Sequence, residues 1–90
     1  MKSVVTVIGK DTTGIIARFS NLCYQEGVNI LDITQKVLRD DIFAMIMLTD
    51  LSTSKVHYAG FVDKLMAQGK ELGLTVHAMH EDVFNSMHRI

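Results

Sequence analysis

The stretch "GKDTTGI", residues 9–15, packs an acid, two threonines and two glycines into seven positions, after a β-branched run and before residues with helical spacing. A loop of this kind can cradle a phosphate, position a nucleophile or hold a small polar ligand. Neither G-x-x-x-x-G-K-[ST] nor G-x-G-x-x-G occurs in it, so nucleotide phosphate is not indicated. Gly9 and Gly14 let backbone approach a ligand closely, and the first-turn N–H groups of the following helix attract a carboxylate. Asp11, Thr12 and Thr13 add hydrogen-bond partners. This mixture suits a zwitterion such as an amino acid, with its carboxylate at the helix N-terminus and its ammonium near an acidic side chain. It is equally the composition of a capped turn that holds nothing.

Other chemistries find less support. A nucleophile needs an activating base, and no G-x-S-x-G pattern surrounds any serine. Cys23 falls on the apolar side of a helical pattern and reads as a structural thiol. Asp11 beside Lys10 could act as an acid and base pair, but a carboxylate in an open loop is usually a cap or turn residue. No catalytic residue is assigned, and the chain is expected not to be an enzyme. His77, His80 and His88 lie near the C-terminus, yet on a strand residues 77 and 80 point to opposite faces. Only His80 with His88, or with a histidine of a partner chain, could converge on a metal. With no clustered Cys or carboxylate ligands, no metal site and no cofactor are assigned.

Nine Lys and Arg against ten Asp and Glu give a formal charge of -1, which provides no field for nucleic acid. The only aromatic in "DIFAMIML" is Phe43, too few for base stacking. A lone cysteine excludes an internal disulfide framework, and also the C-x-x-C metal site, and it fits a reducing compartment. The apolar stretch near the N-terminus is five residues broken by Thr6, too short for a signal peptide or a membrane span. The protein is expected to be cytoplasmic, without membrane or nucleic-acid partners.

The elements that position the loop are legible from periodicity. Ser3 to Ile8 reads as a strand ended by Gly9. Ile15, Ile16, Phe19, Leu22 and Cys23 mark one face of a helix with Thr12 or Thr13 as N-cap and Gly27 closing it. "VNILDITQKVL" alternates, Leu31, Ile33 and Val37 against Asp32, Thr34 and Lys36, as a long strand with one wetter face. "RDD", residues 39–41, is a turn into "IFAMIMLTD", a strand apolar on both faces. "STS", residues 52–54, offers caps for a second helix carrying Val56, Phe61, Val62, Leu65, Met66 and Leu72, closed by Gly73. Gly69 inside it weakens an exposed helix by about 1 kcal/mol relative to Ala. "LTVHAMH" is a last strand, and Val83, Phe84, Met87 and Ile90 form the stripe of a short amphipathic helix. The order predicts an α+β fold, a ferredoxin-like βαββαβ sandwich with a four-stranded antiparallel sheet, two helices on one face and a short C-terminal helix. Ninety residues make one domain, spanning 1–90. Two helices cannot cover both Phe43, Met45 and Met47 and the alternate set Ile42, Ala44, Ile46 and Leu48. One set faces outward, as an interface does.

"VTVIGKDTTGIIARFSNLCYQEGVNILDITQ" resembles the opening half of an ACT domain, with its strand, G-x-D-x-x-G-I loop, helix, and G-x-N-I entry into strand two. The length and βαββαβ order extend the resemblance over essentially the whole chain. It is most similar to stand-alone bacterial ACT proteins and, more distantly, to the glycine cleavage system transcriptional repressor. The resemblance implies a regulatory module that dimerises, side by side or face to face, and binds a small molecule, an amino acid above all, at the interface. It places Asp11, Thr12, Gly14 and Ile15 of one copy at the site, with Asn29 and Ile30 of another. Asn29 would suit the ligand's carboxylate or ammonium because its amide both donates and accepts, and it reads equally as a turn residue after Gly27. Most ACT domains are fused to the enzyme or regulator they control. Here an effector must act through a separate, unidentified protein. A ligand-free interaction module, or a metal-responsive protein using His80 and His88, are the alternatives.

Overall fold

A computed structural model describes residues 1–87, so the expectations placed on His88 and Ile90 lie outside the described residues. The elements run β1 (Lys2–Lys10), α1 (Ile15–Glu26), β2 (Asn29–Leu38), a 3₁₀ turn (Arg39–Asp41), β3 (Ile42–Asp50), α2 (Tyr58–Leu72), β4 (Leu74–His80) and α3 (Glu81–Met87). The strands form one sheet in the order β2-β3-β1-β4, and every neighbouring pair is antiparallel. This is the ferredoxin-like arrangement that the element order implies.

The two apolar sets of β3 separate cleanly. Phe43, Met45 and Met47 are buried with Val5 and Val7 of β1 and Val76 of β4, beneath Phe19 and Cys23 of α1 and Phe61 and Leu65 of α2. Ile42, Ala44, Ile46 and Leu48 lie on the opposite face, which α3 covers in part through Phe84. Two polar residues, Ser3 of β1 and Thr49 of β3, are buried side by side and are satisfied there. The Thr49 hydroxyl donates to the Ser3 carbonyl at 2.9 Å, and the Ser3 hydroxyl donates to the Met79 carbonyl at 3.1 Å.

Four expectations need correction. Helix α1 is not capped by Thr12 or Thr13. Its N-cap is Gly14, at φ 87°, whose carbonyl receives the Arg18 N–H at 2.9 Å, and no side chain caps it. The left-handed backbone there favours glycine over a threonine. Helix α2 begins after His57, also without a side-chain cap, so Val56 precedes it. The serines and threonine upstream instead tie the loop down. Ser52 donates from its backbone and hydroxyl to the Asp50 carboxylate at 3.0 and 2.6 Å, Thr53 donates to the Gly27 carbonyl, and Ser54 to the Glu26 carbonyl.

Strand β2 keeps Ile33 and Val37 on the face opposite Asp32, Thr34 and Lys36, but Leu31 does not join the first set. It is an edge strand exposed along most of its length, and a bulge at Leu31, between Ile30 and Asp32, breaks its alternation. Gly69 is not an exposed weak point. It is buried, and a Cβ there would run into Val76 Cγ2 and lie 3.1 Å from the Leu74 carbonyl oxygen. Helix α2 can lie this close to β4 only because that position has no side chain.

Candidate functional site

The loop after β1 opens onto a hollow of about 200 Å³ lined by Asp11, Thr12, Gly14, Ile15, Ile16, Ala17, Gln35 and Phe43. The loop is held from below, because the Asp11 N–H donates to the Asp41 carbonyl at 2.7 Å, joining it to the β2–β3 turn. In that turn Asp40 and Asp41 both adopt left-handed backbone, at φ 61° and 57°. No side chain caps α1 and no acidic residue lies in its first turn, so no internal carboxylate competes for the first-turn N–H groups of Ile15, Ile16 and Ala17, residues that line the hollow. One wall therefore suits an anion, another carries the Asp11 carboxylate, and Phe43 and Ile15 supply an apolar base.

Four of the six residues singled out in the sequence, Asp11, Thr12, Gly14 and Ile15, meet at this hollow. Asn29 and Ile30 do not. Strands β1 and β2 run the same way, both antiparallel to β3, so the loop after β1 and the start of β2 sit at opposite ends of the sheet. Eight residue steps of β3, from Ile42 to Asp50, separate them, or about 27 Å at strand rise. Asn29 pairs with Asp50, whose carboxyl the Ser52 hydroxyl and backbone N–H, helped by the amino terminus and Lys2, hold below the usual carboxylate range.

Sequence reasoning missed Gln35. Its one signal in the sequence is a polar residue between Ile33 and Val37; the register of that row with buried Met47, Met45 and Phe43 is what brings it to the loop. A carboxamide there can both donate to and accept from a polar ligand.

The other candidate groups stand apart from this hollow. Cys23 is buried, and burial pushes its thiol up to about 11, which leaves it protonated and unreactive at neutral pH. His77 and His80 pair with Thr6 and Ser3, on opposite faces of the sheet. His80 Nδ1 accepts the Asp82 N–H at 3.0 Å. Among the described residues no three His, Cys, Asp or Glu side chains converge as metal ligands, and no helix is long and apolar enough to cross a membrane.

The fold and the loop together define a ferredoxin-like α+β domain in which a glycine-bounded loop feeds an uncapped helix N-terminus. Residues 3–79 match the ACT domain family, and the chain belongs to it. It is 49% identical to a UPF0237 protein of Methanocaldococcus jannaschii over 97% of this chain and 96% of that one. The structure of an ACT domain protein from Streptococcus pneumoniae matches with a TM-score of 0.80 at 33% identity, covering 93% of each chain. A structure described as a glycine cleavage system transcriptional repressor matches with a TM-score of 0.72 at 24% identity, over 87% of this chain and 44% of that one. This last likeness is one of fold alone. ACT domains are typically regulatory modules that bind small molecules and commonly dimerise.

Proposed function

We propose that this ACT protein binds an amino acid at a site shared between two copies of the chain, and that it regulates a separate protein rather than catalysing a reaction. The observation that carries the reading is the split of the site. In one chain Asp11, Thr12, Gly14, Ile15 and Gln35 stand at one end of the sheet, and Asn29 and Ile30 at the other. Antiparallel pairing of two β2 edges reverses the second strand, so its Asn29 and Ile30 come beside Val37 and Leu38 of the first, at the end where the loop lies. A two-fold axis perpendicular to the sheet keeps all the α1 and α2 helices on one side.

The edge itself supports this pairing. Ile33, Val37 and Leu38 are 38%, 52% and 51% exposed on a long edge strand, a surface that a monomer would be expected to protect. In the shared site the α1 N-terminus takes the ligand's carboxylate, Asp11 its ammonium, and Gln35 with the second copy's Asn29 fixes orientation. Such a regulator works in the cytoplasm, where free amino acids report metabolic state.

Thermal melting of the purified chain against each of the twenty amino acids tests the reading. A ligand at 100 times its Kd that binds only the folded state adds about 2.7 kcal/mol, a shift of about 10–20 °C in a domain of this size. The expected result is a selective rise with one or a few related amino acids, lost in both Asn29→Ala and Gln35→Ala. No shift with any of the twenty, from a chain whose melting still depends on concentration, would replace the ligand with a pure interaction surface.

A further inference from the structure

On the sheet face away from α1 and α2, a hollow of about 300 Å³ lies between the strands and α3, larger than the one at the loop. Val4, Ile46 and Leu48 form its floor and Phe84 lies against it from α3. Hydrogen-bond acceptors stand on two sides of this apolar patch. Asp32 and Thr34, two residues apart on β2, share one face of the sheet; Glu81 and Asn85, four apart on α3, share one face of the helix. The Asp32 carboxylate is oriented by the Ile33 N–H, which donates to Oδ1 at 2.9 Å. No Lys, Arg or His lines the hollow among the described residues.

The register gives the scale. Asp32, Leu48, Val4 and Met79 form one row across the sheet, and Glu81 follows two residues after Met79. From β2 to β4 that row spans three strand spacings, or about 14 Å, which the two side chains narrow from either end. An anion is repelled by both ends, and a neutral apolar molecule leaves both carboxylates unused. A compact monoamine satisfies one end alone. The geometry points to a second ligand site here that takes an aliphatic diamine, its methylene chain on Val4, Ile46 and Leu48. One ammonium is held by Asp32 with Thr34, the other by Glu81 with Asn85. The site shares no residue with the loop hollow.

Calorimetric titration of the full chain at constant ionic strength, with 1,4-diaminobutane and 1,5-diaminopentane as probes, tests it; butylamine and succinate serve as controls. Saturable binding of a diamine is expected, at least about tenfold weaker for butylamine and absent for succinate. Asp32→Asn and Glu81→Gln each weaken diamine binding about tenfold or more at unchanged Tm. Asn29→Ala and Gln35→Ala leave it intact, which separates this site from the loop site. The absence of saturable binding, equal binding of butylamine, or indifference to both Asp32→Asn and Glu81→Gln would overturn the proposal.

Discussion

Replacing Met47 with alanine is expected to remove about 2–5 kcal/mol of unfolding free energy, whereas the same change at neighbouring Ile46 removes less than about 1.5 kcal/mol. Met47 is 0% exposed and sits among the fully buried side chains under the helices, while Ile46 is 46% exposed on the other face. A buried truncation loses the transfer free energy of the removed atoms and leaves a cavity that rigid neighbours cannot close. At Ile46 much of the side chain already faces solvent, so little is lost. In a domain of this size each kcal/mol moves Tm by about 4–8 °C, and the two variants should melt at least about eight degrees apart when the Met47 loss reaches the middle of its range. Equal losses, or the reverse order, would mean that β3 presents its other face to the helices. The assignment matters for function because it decides which residues floor the outer hollow.

Gly69→Ala is expected to destabilise the protein by about 1–3 kcal/mol, against the usual gain of about 1 kcal/mol when alanine replaces glycine inside a helix. The added methyl meets Val76 Cγ2 and the Leu74 carbonyl oxygen, the second of which is backbone and cannot rotate away. Helix α2 must then lift off β4 and loosen Leu65 and Val76 in the core. Denaturant unfolding of Gly69→Ala and of Gly69→Ala with Val76→Ala checks this. The second change costs core packing by itself, so the informative quantity is the coupling, which should be favourable by at least about 0.5 kcal/mol. A stabilised Gly69→Ala would show that α2 and β4 are further apart than described.

These two positions also mark where the sequence could and could not be read. The strands "IFAMIMLTD" and "LTVHAMH" and both long helices are visible in periodicity, with Gly27 and Gly73 closing the helices in left-handed backbone. Which face of β3 points inward is not visible, because both of its rows are apolar and only the placement of α1 and α2 distinguishes them. Gly69 is ambiguous for the same reason, since a glycine that permits close packing and one that merely weakens a helix look alike in one dimension. Caps were misplaced where hydroxyls had a competing partner. Ser52, Thr53 and Ser54 are taken by Asp50 and by the carbonyls ending α1, and the chain turns at Gly14 instead of at a threonine.

The candidate site was legible in half. The glycine spacing and acid of residues 9–15 identify the loop, but Gln35 becomes its neighbour only through the β2–β3–β1 register. The distance of Asn29 and Ile30 from that loop is likewise a fact of topology. Two parallel strands separated by one antiparallel strand send the end of the first and the start of the second to opposite edges of the molecule.

The most direct test of the shared site uses mixed dimers. Asp11→Ala and Asn29→Ala, both at exposed positions, are each expected to abolish amino-acid binding as pure proteins. When the two are mixed and allowed to exchange subunits, half of the dimers carry one copy of each, and every such dimer has one site with both residues intact. Binding stoichiometry should therefore recover to about a quarter of the wild-type value. If the mixture stays silent while subunit exchange is verified, Asp11 and Asn29 do not meet across two copies, and the account of a site built between chains is wrong.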